Sequence, residues 1–264
     1  MARLQIIGGG RMGEALLAGL VAADWAAPAD LRIVEPVATR RDQLGELFPG
    51  VHVAAEPGDA DGVVLAVKPG IVADACRALG DHTVGRVLSI AAGVTLSTIE
   101  EALGDERPVV RAMPNTPSLI GAGAAAIAPG AHAADDDLAW AESILGAVGV
   151  VVRVPESQLD AVTGLSGSGP AYVFLVAEAL IEAGVLAGLA RDVAETLAGQ
   201  TLVGAARLLA EGDDDAAALR AAVTSPGGTT AEGLRVLEAA GVRSALIEAV
   251  AAATARSREL GASS

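Results

Sequence analysis

The chain has 264 residues, 52% hydrophobic and 19% charged, long enough to bury a core and too apolar for a disordered chain. Its 18 Lys and Arg against 33 Asp and Glu leave a net charge of −15, which opposes any nucleic-acid footprint, so an anionic ligand needs a local source of positive potential. The longest uncharged stretch, residues 112–134, could cross a bilayer only as a helix, and Pro114, Pro117 and Pro129 forbid one.

The first residues pass straight into Leu4 to Ile7 with no basic segment and no cleavage site, so the expectation is a soluble, cytoplasmic protein without a membrane contact. Leu4 to Ile7, Leu31 to Val34, Val51 to Ala54, Val63 to Val67, Val87 to Ile90 and Val109 to Ala112 read as buried strands. Met12 to Ala22 carries Leu16, Leu17, Leu20 and Val21 on one helical face. Strand alternating with helix at this spacing predicts an α/β fold with a doubly wound, mostly parallel sheet. Ala125 to Ala128 and Gly149 to Val154 extend it on either side of a helix near Leu138 to Leu145, and the domain closes near Pro155.

Gly8-Gly9-Gly10-Arg11-Met12-Gly13 follows the first strand and opens a helix, the context that a dinucleotide-binding G-x-G-x-x-G requires. Gly8 permits the tight turn, Gly10 the approach of a pyrophosphate and Gly13 close packing of helix on strand. Glu35 ends the second strand, 22 residues beyond Gly13, where a carboxylate can accept the ribose hydroxyls of NAD. Arg40 and Arg41 follow within a turn, either to neutralise the 2′-phosphate of NADP or as solvated helix charges, so NADP and NAD both stay open.

Of the 18 basic residues only Lys68 is lysine, and it stands in Ala66-Val67-Lys68-Pro69 at the carboxyl edge of the fourth strand, in reach of cofactor or substrate. Ala91 and Ala92, after the fifth strand, let a flat ring approach the backbone. Asn115, between the prolines of Arg111 to Pro117, is presented by a stiff turn as a further cofactor contact. Cys76 and the three histidines show no ligand spacing, so no metal is expected.

Beyond Pro155 the strand signals stop. Gly164 to Gly169 is read as a break between a short helix and a long one, with Ser168 as candidate cap and Pro170 in the first turn. Ala171 to Leu186 is apolar around most of its girth, with only Glu178 and Glu182 charged, so it needs covering on nearly every side and implies a partner subunit. Ser225-Pro226-Gly227-Gly228-Thr229-Thr230 opens a later helix. Small residues there expose several N–H groups as an anion site, unless Thr229 or Thr230 serves only as a cap.

In order along nearly the whole chain, Gly8 to Gly13, Ala66 to Pro69, Ser89 to Val94, Arg111 to Pro117, Gly164 to Phe174 and Ser225 to Thr230 resemble the motifs of the pyrroline-5-carboxylate reductases. That family reduces the cyclic imine 1-pyrroline-5-carboxylate to L-proline with NADPH or NADH. The resemblance implies a Rossmann domain at 1–155 and an all-helical substrate-binding and dimerisation domain at 156–264, with dimers often joined into rings. It puts Gly8, Gly10, Arg11, Met12 and Gly13 on the pyrophosphate and Ala66, Val67, Lys68, Pro69, Ala91 and Ala92 along the nicotinamide half. Ser225, Gly227, Gly228 and Thr229 would hold the substrate carboxylate, and Thr230 would be the catalytic hydrogen-bond partner of the ring nitrogen.

Two departures stand out: Arg11 where the family often has Asn, and Asp213-Asp214-Asp215-Ala216 in place of a His-Pro pair. Two other readings are a β-hydroxyacid dehydrogenase, which needs a second-domain lysine that this chain lacks, and a regulatory protein that binds NADPH without turnover.

Overall fold

The computed structural model describes residues 1–104 and 106–262, the last by its backbone only. Residues 263 and 264, the end of the expected second domain, lie outside them. Strand and helix alternate as β1 (Leu4–Ile7), α1 (Arg11–Ala22), β2 (Leu31–Val34), α2 (Ala38–Leu47), β3 (His52–Ala54), β4 (Val63–Leu65), α3 (Val72–Ala78), β5 (Val87–Ser89), α4 (Leu96–Leu103) and β6 (Val109–Met113). β7 (Gly123–Pro129), α5 (Asp135–Leu145) and β8 (Gly149–Arg153) follow. Among the described residues these strands form one eight-stranded sheet in the order β3-β2-β1-β4-β5-β6-β7-β8. Neighbours run parallel except β6 against β7. The order reverses between β1 and β4, which opens a crevice at their carboxyl ends.

The central strands β1, β4, β5 and β6 are buried on both faces, which is why they read as mostly apolar runs. Ile6, Val64, Leu88 and Val110 point into one core with Leu16, Leu17 and Leu20 of α1 and Trp140 of α5. Their strand neighbours Ile7, Val63, Leu65, Val87 and Val109 point into the other with Cys76 and Ile99, as the two-residue period of a strand requires. Burial pushes the Cys76 thiol up to about 11, against a smaller opposing pull from Arg107.

After β8 the chain is helical: α6 (Leu159–Val162), α7 (Gly169–Leu186), α8 (Arg191–Glu211), α9 (Ala216–Ala222), α10 (Thr229–Ala239) and α11 (Val242–Ala262). The break expected at Gly164 to Gly169 is absent. The segment Thr163–Gly167 is a single π-helical turn leading into α7, and the Ser168 N–H donates to the Thr163 carbonyl at 2.8 Å. Ser168 sits in right-handed helical conformation, φ −84° and ψ −19°, and so does not have the extended backbone of a cap.

By packing, one unit comprises residues 1–168 and the chain from Val250 onward, and a second comprises Gly169–Ala249. The first therefore includes helical residues beyond Pro155, because Leu159, Thr254 and Ser257 are buried in it. In the second, α7 packs on α8 through Gly184, where a β-carbon would lie 3.1 Å from Ala194. None of the described residues of α7 is buried, and Phe174, Leu175 and Leu186 are 64%, 66% and 91% exposed. The Asp213–Asp215 run has a local role: Asp215 caps α9, its Oδ1 accepting the Ala218 N–H at 2.8 Å.

Candidate active site

In the first unit the candidate residues gather at the carboxyl ends of β1, β2, β4 and β5. Gly8 has φ +112°, and a β-carbon there would lie 2.5 Å from the Ala66 carbonyl oxygen, so the loop after β1 rests on the end of β4. A β-carbon on Gly13 would overlap the Gly8 carbonyl. Gly10 has open space around its Cα and stands at the N-cap of α1 with no side-chain cap. The first N–H groups of α1 are therefore left for a ligand, with the positive end of the helix dipole behind them. A cradle closed by Gly8 and Gly13 and open at Gly10 fits a dinucleotide pyrophosphate. Met12 is partly buried against the core, and Arg11 is exposed.

Glu35 is turned onto the backbone. Its Oε2 accepts the Gly9 N–H at 3.1 Å and its Oε1 accepts the Val37 N–H at 2.9 Å, so it braces the glycine loop against the β2–α2 turn. Each oxygen keeps a lone pair for a ribose hydroxyl. Arg40 donates from Nε to the Gly9 carbonyl at 2.8 Å and pairs with Glu14 of α1, a partner that the sequence reading missed. Arg41 donates to the Glu35 and Pro36 carbonyls at 3.0 and 2.7 Å. A cleft of about 530 Å³ runs along this loop, lined by Gly10, Arg11, Glu14, Arg40 and Leu119.

Ala66 continues the ladder past β4, its N–H donating to the Ile7 carbonyl at 2.8 Å, and Val67 packs beside Gly8. Lys68 is exposed and opens a helical turn that begins at Pro69. Ala91 is buried and Ala92 exposed beyond the end of β5.

Asn115 is anchored at both ends of its amide: its Nδ2 donates to the Ser166 carbonyl at 3.1 Å and its Oδ1 accepts the Ala124 N–H at 2.8 Å, and one N–H and one lone pair remain for a cofactor. Arg111, in the same motif, is 7% exposed and pairs with Glu156 at 2.8 Å. Glu156 Oε1 also accepts the Leu96 N–H at 2.7 Å, at the start of α4. Nothing in the sequence reading singled out Glu156.

In the second unit Ser225 to Thr230 forms a tight turn into α10. Gly227 has φ +70°, the Gly228 N–H donates to the Ser225 carbonyl at 3.0 Å, and a β-carbon on Gly228 would overlap the Ser225 hydroxyl. Gly228, not a threonine, is the N-cap, and it makes no side-chain cap bond. The first intrahelical bond runs from the Glu232 N–H to the Gly228 carbonyl at 3.3 Å, so the N–H groups of Thr229, Thr230 and Ala231 have no helical acceptor. This is the geometry of an anion site, with the half-buried Thr230 at its second helical position.

Residues 156–260 match the family model for pyrroline-5-carboxylate reductase dimerisation. Residues 3–93 match that for coenzyme F420-dependent NADP oxidoreductases. A pyrroline-5-carboxylate reductase of Synechocystis sp. is 48% identical over 98% of both chains. The solved structure of a pyrroline-5-carboxylate reductase from Coxiella burnetii is 40% identical, with a TM-score of 0.91 over 98% of both chains. That of a Plasmodium falciparum pyrroline carboxylate reductase with NADP bound is 29% identical, with a TM-score of 0.83 over 98% of both chains. With a relative this similar along nearly its whole length, the chain belongs to the pyrroline-5-carboxylate reductase family.

Proposed function

We propose that the protein reduces 1-pyrroline-5-carboxylate to L-proline, with NADPH or NADH as reductant. The observation that carries this reading is the 48% identity to a reductase of this name over 98% of both chains. When bound, the reduced nicotinamide supplies the hydride that C5 of the ring accepts. Gly8 to Gly13 hold the pyrophosphate at the start of α1, Glu35 the adenosine ribose, and Ala66 to Pro69 with Ala91 and Ala92 border the nicotinamide end. Arg11 and Arg40 line the cleft in which a 2′-phosphate finds positive charge. Ser225 to Thr230 hold the substrate carboxylate on free N–H groups, which answers the need for positive potential in an acidic chain without a basic side chain. Thr230 donates to the ring nitrogen, directly or through an ordered water, so that the imine carbon becomes electrophilic as hydride arrives. The test is to follow NADPH or NADH absorbance: consumption is expected only after pyrroline-5-carboxylate is added. Turnover with a 3-hydroxy acid and none with the imine would overturn the reading in favour of a hydroxyacid dehydrogenase.

Self-association belongs to the same reading. The segment Glu156–Leu186 has the length and composition to cross a membrane. A second subunit covering α7 accounts for its apolar girth equally well, and the dimerisation-model match over 156–260 supports that occupant. An obligate dimer of this kind buries more than about 2,000 Å² in total. Sedimentation in detergent-free buffer is expected to show a dimer or a ring of dimers, and a stable folded monomer at micromolar concentration would sink the idea. A cytoplasmic location goes with a biosynthetic reductase that draws on nicotinamide.

A further inference from the structure

The amino edge of the sheet carries a second cavity, separated from the glycine loop by the length of β1, about 13 Å for four residues. Arg3 precedes β1, Asp61 stands two residues before β4, and Trp25 follows α1. With Asp136, Trp140 and Ser143 of α5 and Arg86 beside β5, they line a space of about 520 Å³. Both tryptophans of the chain are here. Each has a guanidinium on its ring face, Arg3 at 4.4 Å from the Trp25 centroid and Arg86 at 4.8 Å from that of Trp140.

Part of the wall is fixed. Trp25 Nε1 donates to the Ser143 hydroxyl at 3.0 Å, and that hydroxyl donates to the Trp140 carbonyl at 2.7 Å. Arg86 stands 3.6 Å from Asp137. Gly62 leaves the room that the Trp140 indole fills, since a β-carbon there would overlap the ring. Arg3, Asp61 and Asp136, by contrast, make no ion pair among the described residues. One cavity thus presents a guanidinium without a carboxylate, two carboxylates without a cation, and two indoles.

We propose that this cavity binds a small α-amino acid as its zwitterion, the carboxylate on Arg3, the ammonium on Asp61 and Asp136, and the carbon frame against the indoles. A simple anion would meet two carboxylates and a simple cation two guanidiniums. A neutral ligand would cover all of these charges without pairing any of them. A molecule that carries both charges on one small carbon frame, as an α-amino acid does on its Cα, pairs both sets, and the volume holds a small amino acid with bridging waters. L-Proline is chosen as the probe because the proposed reaction makes it. The cavity itself does not rest on that reaction.

Because the only two tryptophans line the cavity, intrinsic fluorescence reads it directly. Titration of L-proline into the whole protein, without nicotinamide, is expected to change tryptophan emission saturably. Arg3→Gln and Asp61→Asn should each raise the concentration needed by at least about tenfold, Arg3→Lys should restore part of it, and kcat/KM for the imine should stay within about twofold in all three. Pyrrolidine, with the ammonium alone, and tetrahydrofuran-2-carboxylate, with the carboxylate alone, should give no saturable change. An absent response to L-proline overturns the proposal, as does a response that survives Arg3→Gln, which would place the ligand at the active site. A response without any turnover of pyrroline-5-carboxylate would instead overturn the reaction and leave the cavity standing.

Discussion

Thr230→Val is expected to lower kcat/KM for the imine by about 30-fold or more while leaving nicotinamide affinity nearly unchanged. The hydroxyl donates to a nitrogen that gains electron density as hydride arrives, so the bond is stronger in the transition state than in the bound substrate. A positioned donor in a dry site contributes on the order of 2 to 4 kcal/mol at that stage. The loss should therefore appear in kcat more than in KM. The glycine loop that holds the pyrophosphate lies in the first packing unit and Thr230 in the second, so fluorescence titration with NADPH serves as the control. Because Gly228 occupies the N-cap and no side chain caps α10, removing the Thr230 hydroxyl should leave the melting temperature almost in place. A variant that melts early yet turns over normally per folded molecule would mean that the hydroxyl serves the helix and not the substrate.

The largest effect on stability is expected from Glu156→Ala. The Arg111 guanidinium belongs to a residue that is 7% exposed, and it has the Glu156 carboxylate at 2.8 Å. Deleting the carboxylate strands that charge and also the Leu96 N–H at the start of α4. Breaking a buried pair from one side costs about 3 to 5 kcal/mol. Glu156 is itself one-third exposed, so water relieves part of this and about 2 to 4 kcal/mol is the better figure. The melting temperature should fall by roughly 5 to 15 °C. Combining Glu156→Ala with Arg111→Met removes the stranded charge and should recover part of the loss. A single variant melting within a degree of the parent would show that the pair contributes nothing.

Strand and helix alternation was legible because the central strands are buried on both faces, so β1 and β2 are mostly apolar, broken only by Gln5 and Arg32, and their ends fall where the sequence placed them. The glycine loop was legible because its spacing follows from sterics at Gly8 and Gly13. The π turn was not. Gly164 and Gly167 look like a linker, but they are small so that Thr254 and Val250 can approach the one and Met113 the other. The same composition serves a flexible joint and a close packing contact, and the sequence carries no mark that separates them. The anchoring of Asn115 was hidden for a related reason. A polar side chain on a stiff turn suggests a ligand, and the sequence does not show that it also satisfies the Ser166 carbonyl, in the π turn, and the Ala124 N–H of β7. Glu156 lay just past the expected domain boundary, and its partner is 45 residues upstream, beyond the reach of any local pattern.

Cys76 gives the sheet unit a built-in clock. Its thiol is buried in the core and titrates at about 11, so near neutral pH only about one molecule in 10⁴ carries the reactive thiolate, and that one is shielded by the core. Alkylating reagents therefore wait for the sheet to open. Under native conditions their slow rate, divided by the rate on an unfolded peptide, gives the fraction of time that this part of the molecule stands open. No second thiol competes for the label. The helical unit carries no such mark, so its separate openings leave the signal silent, and the clock dissects the chain without any engineered probe.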